Sequence, residues 1–224
     1  MPDFLHTIGD VYRRMSHAAM RGGREPDAAH LVAVSKTVPV EVVREAVDCG
    51  LRVFGESRVR EAAAKAAAFA GLGLSWHMVG HLQRNKARAA VEVFDLIHSV
   101  DNMDLLGLIE KHAAAIGKRQ AVLIQVKLSG EQRKSGCDEA ALRAMVDAAT
   151  GMEHVEVRGL MTVPPFFDDP EAARPYFRRL FEINEAYGFP ELSMGMTGDF
   201  EAAIEEGATL VRVGTALFGE RDYA

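Results

Sequence analysis

LVAVSKTVPVEVVREAVDCG, residues 31–50, contains a complete strand, turn and helix. Leu31–Ser35 is a short apolar run rich in β-branched residues, as expected of a strand buried on both faces. Val40–Cys49 repeats its apolar positions at helical spacing and stops at Gly50, a residue suited to a helix C-terminus. The join between them reads SKTVPVE. It lacks the G-x-G-x-x-G turn that opens a dinucleotide-binding sheet.

The same unit recurs along the chain. Further strands are expected at Leu51–Phe54, Ser75–Val79, Leu96–Val100, Ala121–Val126, Val157–Met161, Leu192–Met194 and Leu210–Val213. Helices are expected between them at Arg58–Phe69, Asn85–Val93, Asn102–Ile116, Asp138–Thr150, Pro175–Tyr187 and Asp199–Glu206. Regular alternation of this kind specifies a parallel sheet covered by helices. Eight strands fit a closed (β/α)8 barrel of the TIM type, with an open doubly wound sheet as the alternative. Upstream, Phe4, Ile8, Val11 and Met15 form one apolar stripe, so an extra N-terminal helix is expected, with Asp3 as its cap. Residues 1–29 are read as this helix and a linker, and residues 1–224 as a single α/β domain.

Composition narrows the function. The net charge is −6 and 48% of residues are hydrophobic, which disfavours broad binding to nucleic acid or anionic membranes and allows a large core. Two cysteines, Cys49 and Cys137, make no C-x-x-C motif, the pattern of a reducing compartment. No apolar run reaches the ~20 residues of a membrane span, and the N-terminus does not read as a signal peptide. The expectation is a cytoplasmic monomer.

The chemistry concentrates at strand ends. Lys36 closes the first strand, where desolvation favours a neutral, nucleophilic amine able to form a Schiff base with an aldehyde; taken alone, a lysine at a strand end is usually a solvated surface residue. MGMTGD (194–199) and VGTALFG (213–219) are Gly/Thr turns after the seventh and eighth strands, the usual phosphate position in such barrels. Closure brings the eighth strand beside the first, so Lys36 and both turns converge on one mouth. An amine beside a phosphate cradle points to pyridoxal 5'-phosphate. Arg212 sits inside the apolar run LVRVG and shares a face with Leu210 and Gly214. It either faces the pyridine nitrogen, keeping it unprotonated, or makes a buried salt bridge with Glu56 or Glu201. Glu56 and Ser57 end the second strand in FGES, Ser57 reading as a ligand contact or a helix cap.

Other motifs carry less. His77 and His81 have zinc-like spacing, but on a strand and its turn their side chains lie up to ~13 Å apart, and no metal is expected. Gln83, Asn85 and Lys86 line the mouth or solvate the next helix. RKSG (133–136) has the wrong order for a P-loop. MTVPPFFDD (161–169) either roofs the site or packs on the surface. None of Tyr12, Tyr176, Tyr187 and Tyr223 falls at an expected strand end.

LVAVSKT, FGES, WHMVGHLQRNK, KSG, RGLMTV, MGMTGD and VRVGTALFGERDY together resemble the pyridoxal phosphate homeostasis proteins, which are similar to the N-terminal barrel of alanine racemase. The resemblance runs from about Leu31 to Tyr223. It implies cofactor held as a Schiff base on Lys36, phosphate contacts from Thr197, Gly198, Gly214 and Thr215, and Arg212 near the pyridine nitrogen. With Ser57 and Met196 these make the candidate cofactor-binding set. The family pattern usually has asparagine where Ser57 stands and serine where Thr197 stands. The function implied is cofactor homeostasis and supply, with cofactor-requiring enzymes as clients and no catalytic residue. The absence of a second catalytic base supports it. An amino-acid racemase or lyase, recruiting His77 or Glu56 as base, is the alternative, and a cofactor-free class I aldolase is a third reading.

Overall fold

The computed structural model describes residues 4–130 and 135–219. Asp3, Arg133, Lys134 and Tyr223 lie outside the described residues. Helix α1 (Phe4–Arg21) precedes eight strand–helix units: β1 (His30–Val34), α2 (Val40–Asp48), β2 (Val53–Glu56), α3 (Val59–Ala68), β3 (Ser75–Met78), α4 (Ala87–Val93), β4 (Leu96–Val100), α5 (Met103–Ala115), β5 (Gln120–Gln125), α6 (Glu139–Ala149), β6 (Val155–Met161), α7 (Arg174–Glu185), β7 (Glu191–Met196), α8 (Phe200–Glu205), β8 (Leu210–Val213) and α9 (Thr215–Phe218). The strands form a closed parallel barrel in chain order. Closure pairs Val32 with Arg212 and Ala33 with Val213, so the ends of β1 and β8 meet as expected.

Two apolar layers hold the barrel. The inner one contains Val32, Leu96, Leu123, Met161 and Leu210. The outer one lies between strands and helices and includes Phe54, Phe94, Phe177 and Phe200, all fully buried. The alternation of the strands assigns each side chain to one layer or the other. Asn102 and Asp138 cap α5 and α6, their side chains accepting from Leu105 N at 2.9 Å and Ala141 N at 2.8 Å.

β2 begins two residues later than its apolar run suggests. Gly50, at φ 99°, ends α2 in the left-handed region. Its N–H bonds to Val47 O and the Leu51 N–H reaches back to Ala46 O, which is the paired closure of a Schellman turn. Leu51 therefore belongs to the helix cap and buries against it.

α1 carries its predicted stripe, with Phe4, Ile8, Val11 and Met15 buried. It packs on α8 and α9. Arg14 pairs with Glu201 at 3.0 Å and lies over the Phe200 ring. Arg21 meets Glu205 at 2.7 Å, and Phe4 packs edge-on against Phe218. The N-terminal helix thus braces the two short helices that follow the Gly/Thr turns. Among the described residues no helix is long and apolar enough to cross a membrane.

Candidate functional site

A cavity of about 300 Å3 opens at the C-terminal mouth of the barrel. Lys36, Met196, Thr197, Gly198, Arg212, Gly214 and Thr215 all line it. Seven of the eight expected residues are thereby brought together. Ser57 is not on the cavity wall: its Cα and Cβ pack where a Cβ on Gly80 would fall, 2.7 Å away. Nor does Ser57 cap α3, whose N-cap is Arg58 without a side-chain bond.

The two Gly/Thr turns are tied to each other. Gly214 N donates to Thr197 Oγ1 at 3.3 Å. Asp199 accepts from Met196 N at 2.6 Å, folding the first turn back before α8. Gly195 makes this possible. Its φ is 88°, and a Cβ there would lie 2.6 Å from Ala203 Cβ and 2.9 Å from Phe200 Cα. Only glycine admits both the backbone conformation and the close approach of α8. Burial raises the Asp199 carboxyl above its ordinary range, against the Met196 N–H and nearby Arg212, which lower it.

Arg212 is 5% exposed. Neither Glu56 nor Glu201 neutralises it. Instead it donates to Ser193 Oγ at 2.5 Å and to Thr162 O at 3.1 Å. A guanidinium has five N–H groups, so donors remain for a ligand. Desolvation lowers its pKa to about 10, opposed by Asp199, and it stays cationic at neutral pH.

Glu56 has another task. It is fully buried and accepts from Ser35 Oγ at 2.7 Å and Lys65 Nζ at 2.8 Å. Lys65 also donates to Ser35 O at 2.6 Å and to Glu61 at 2.8 Å. Glu61 in turn accepts from Thr37 N at 2.5 Å. Thr37 is the one non-glycine residue at positive φ, 65°, among the described residues. Such a conformation costs a β-branched residue about 1–3 kcal/mol, and here the Lys65 cluster holds it. The backbone on both sides of Lys36 is therefore clamped from α3. Desolvation raises the Glu56 carboxyl, against its bonds from Lys65 and Ser35.

The family model described as alanine racemase, N-terminal domain, matches residues 13–222. The chain belongs to the alanine racemase N-terminal domain family. Within it, the chain is 45% identical to the pyridoxal phosphate homeostasis protein of Aquifex aeolicus, over 96% of this chain and 97% of that one. It is 43% identical to the protein of that name in Pseudomonas aeruginosa, over 100% and 98%. Among solved structures, PipY of Synechococcus elongatus with PLP bound superposes with a TM-score of 0.80 at 40% identity, covering 90% of this chain and 100% of that one. An alanine racemase of Clostridium difficile, at 16% identity and TM-score 0.71, shares the fold over 95% of this chain and 60% of its own. The resemblance read from the motifs to the pyridoxal phosphate homeostasis proteins is borne out.

This family member also settles open alternatives. The 161–169 segment contributes Val163, Pro165, Phe166 and Phe167 to the cavity wall, so it borders the site. His77 and His81 face different partners. His77 lies inside the barrel against His98, whereas His81 meets Asp101 at 3.5 Å and Ser135 at 3.1 Å. Arg84–Lys86 form an exposed 3-10 turn, and neither they nor Gln83 line the cavity. Lys65, Glu61, His98 and Ser193 escaped sequence reasoning. Glu61 and Lys65 have the i, i+4 spacing of an ordinary solvated helix pair, and nothing in REAAAKAAA shows that this face is buried.

Proposed function

We propose that this protein holds pyridoxal 5'-phosphate in the mouth cavity and serves in intracellular cofactor homeostasis and supply without robust catalysis. The observation that carries the reading is the convergence of Lys36, Arg212 and the two tied turns on one cavity. The donor set fits the group. A primary amine suits its aldehyde, the hydroxyls and amides of Thr197, Gly198, Gly214 and Thr215 suit its phosphate, and the unclaimed N–H groups of Arg212 suit its ring nitrogen. Bound pyridoxal phosphate supplies an aldehyde carbon for a lysine amine and a ring able to accept electron density.

The residues around it do the rest. Arg212 keeps positive charge at the ring nitrogen and so opposes its protonation, which weakens the ring as an electron sink. Lys36 is half-buried on a clamped backbone. Racemisation requires a base on each face of the substrate carbon. Among the described residues the cavity wall offers Lys36 and Asp199 as its ionisable proton carriers beside Arg212, and Asp199 is engaged by Met196 N. Tyr12, Tyr176 and Tyr187 do not line the cavity, and neither do His77 and Glu56. Phe166, 89% exposed, lies on the cavity wall, and this solvent-facing rim is where the proposal places cofactor exchange with client enzymes.

The test is a titration of purified protein with pyridoxal phosphate, followed by visible absorption and by turnover assays on L- and D-amino acids. One equivalent bound with a new visible band and no turnover is expected. Failure to bind overturns the cofactor reading, and steady racemisation overturns the non-catalytic part.

A further inference from the structure

Five side chains inside the barrel form a continuous hydrogen-bonded chain that starts at Arg212. Arg212 donates to Ser193 Oγ at 2.5 Å, Ser193 Oγ lies 2.8 Å from His98 Nδ1, His98 Nε2 lies 3.0 Å from His77 Nδ1, and His77 Nε2 lies 3.2 Å from Ser75 Oγ. Ser193 and His98 are fully buried and His77 is 8% exposed. The series crosses the interior from β8 through β7, β4 and β3 to half-buried Ser75.

Its direction follows from one fact. A guanidinium only donates, so Ser193 Oγ accepts from Arg212. The buried Ser193 hydroxyl hydrogen then needs an acceptor, and His98 Nδ1 is its other partner among the described residues. An unsatisfied buried hydroxyl would cost about 1–3 kcal/mol. His98 must therefore carry its proton on Nε2 and donate to His77 Nδ1, and His77 must carry its proton on Nε2 and donate to Ser75. Both rings are neutral in this arrangement. The surroundings agree: burial lowers both histidines, with Arg158 and Asp95 acting on His77 in opposite senses and Arg212 acting on His98.

We infer that Ser193, His98 and His77 are positioning residues for Arg212: the one-way hydrogen-bond chain fixes both histidines as neutral Nε2–H tautomers and holds the guanidinium aimed into the mouth cavity before any ligand arrives. What Arg212 then does to a ligand rests on the reading under Proposed function. The chain itself does not. A guanidinium held in advance loses less freedom when a ligand binds.

Two measurements test it. Long-range 1H–15N correlation on cofactor-free protein labelled at histidine, near neutral pH, should show Nε2 protonated and Nδ1 bare in both rings. A proton on Nδ1 of either overturns the chain. Wild-type protein that fails to bind pyridoxal phosphate would sink the functional reading while leaving this result intact. In the loaded protein, Ser193→Ala and His98→Leu should each weaken pyridoxal phosphate about tenfold and move its absorption maximum, and the double variant should be no worse than either alone. His98→Asn places an amide oxygen where Nδ1 stood and should restore both readouts. Ser193→Ala is small enough to fold, as thermal melting will report. Wild-type affinity and band position in that variant overturn the positioning role.

Discussion

Lys65→Met should lower unfolding free energy by about 3–5 kcal/mol in urea, because it strands the fully buried Glu56 carboxylate without its partner. A loss below about 1 kcal/mol, typical of a surface pair, would show that the cluster does not hold the Lys36 backbone. Gly195→Ala tests the other wall. The added methyl meets Ala203 and Phe200 at positive φ, so a destabilisation of about 1–3 kcal/mol is expected together with weaker phosphate binding. Stability and affinity equal to wild type would mean that α8 does not set the turn. Legibility at this scale depended on contrast with neighbours. Lys36 and Arg212 stand out as charges at or inside apolar runs. Lys65 sits among alanines with a glutamate four residues before it, a pattern that is the same whether the face is dry or wet. Ser57 read as a ligand because it follows a strand end, but the close approach of Gly80 turns that position into packing.

The elements were legible where periodicity alone defines them. β4 and β8 fall where their apolar runs predict, and the Pro175 helix starts within a residue of expectation. β2 shifted because Leu51 closes a Schellman turn, a backbone event that hydrophobicity does not encode. The histidine pair was invisible because β3 and β4 contribute one ring each, and the register that pairs His77 with Leu96 and so brings His98 beside it is not written in either apolar run. This pair predicts a pH dependence. Burial lowers His77 to about 4 in the folded chain, from an ordinary value near 6.5. The unfolded chain takes up the proton first as pH falls, so the stabilisation is complete above about 6.5 and lost as pH drops through about 4. A loss of about 3 kcal/mol from His77 follows, with a further contribution from His98. Urea unfolding between pH 7.5 and 4.5 should show this decline, and His77→Gln should flatten it. An unchanged slope would place the acid sensitivity elsewhere.

At the scale of the whole molecule, strand–helix alternation foretold the closed barrel, and closure set the end of β1 beside the paired ends of β7 and β8. Whether the site turns over a substrate was not legible, since that depends on which side chains reach the cavity wall. Cofactor binding and folding should be linked. Free pyridoxal phosphate at a hundredfold its Kd should stabilise the chain by about 2.7 kcal/mol and raise Tm, and an unmoved Tm would argue against binding to the folded state. The most direct measurement is borohydride reduction of protein loaded with pyridoxal phosphate, followed by peptide mass spectrometry, with Lys36→Ala in parallel. The account predicts one phosphopyridoxyl group on Lys36 and none at stoichiometric level in the variant. Stoichiometric label on another lysine of the wild-type protein, or no label at all, would contradict it.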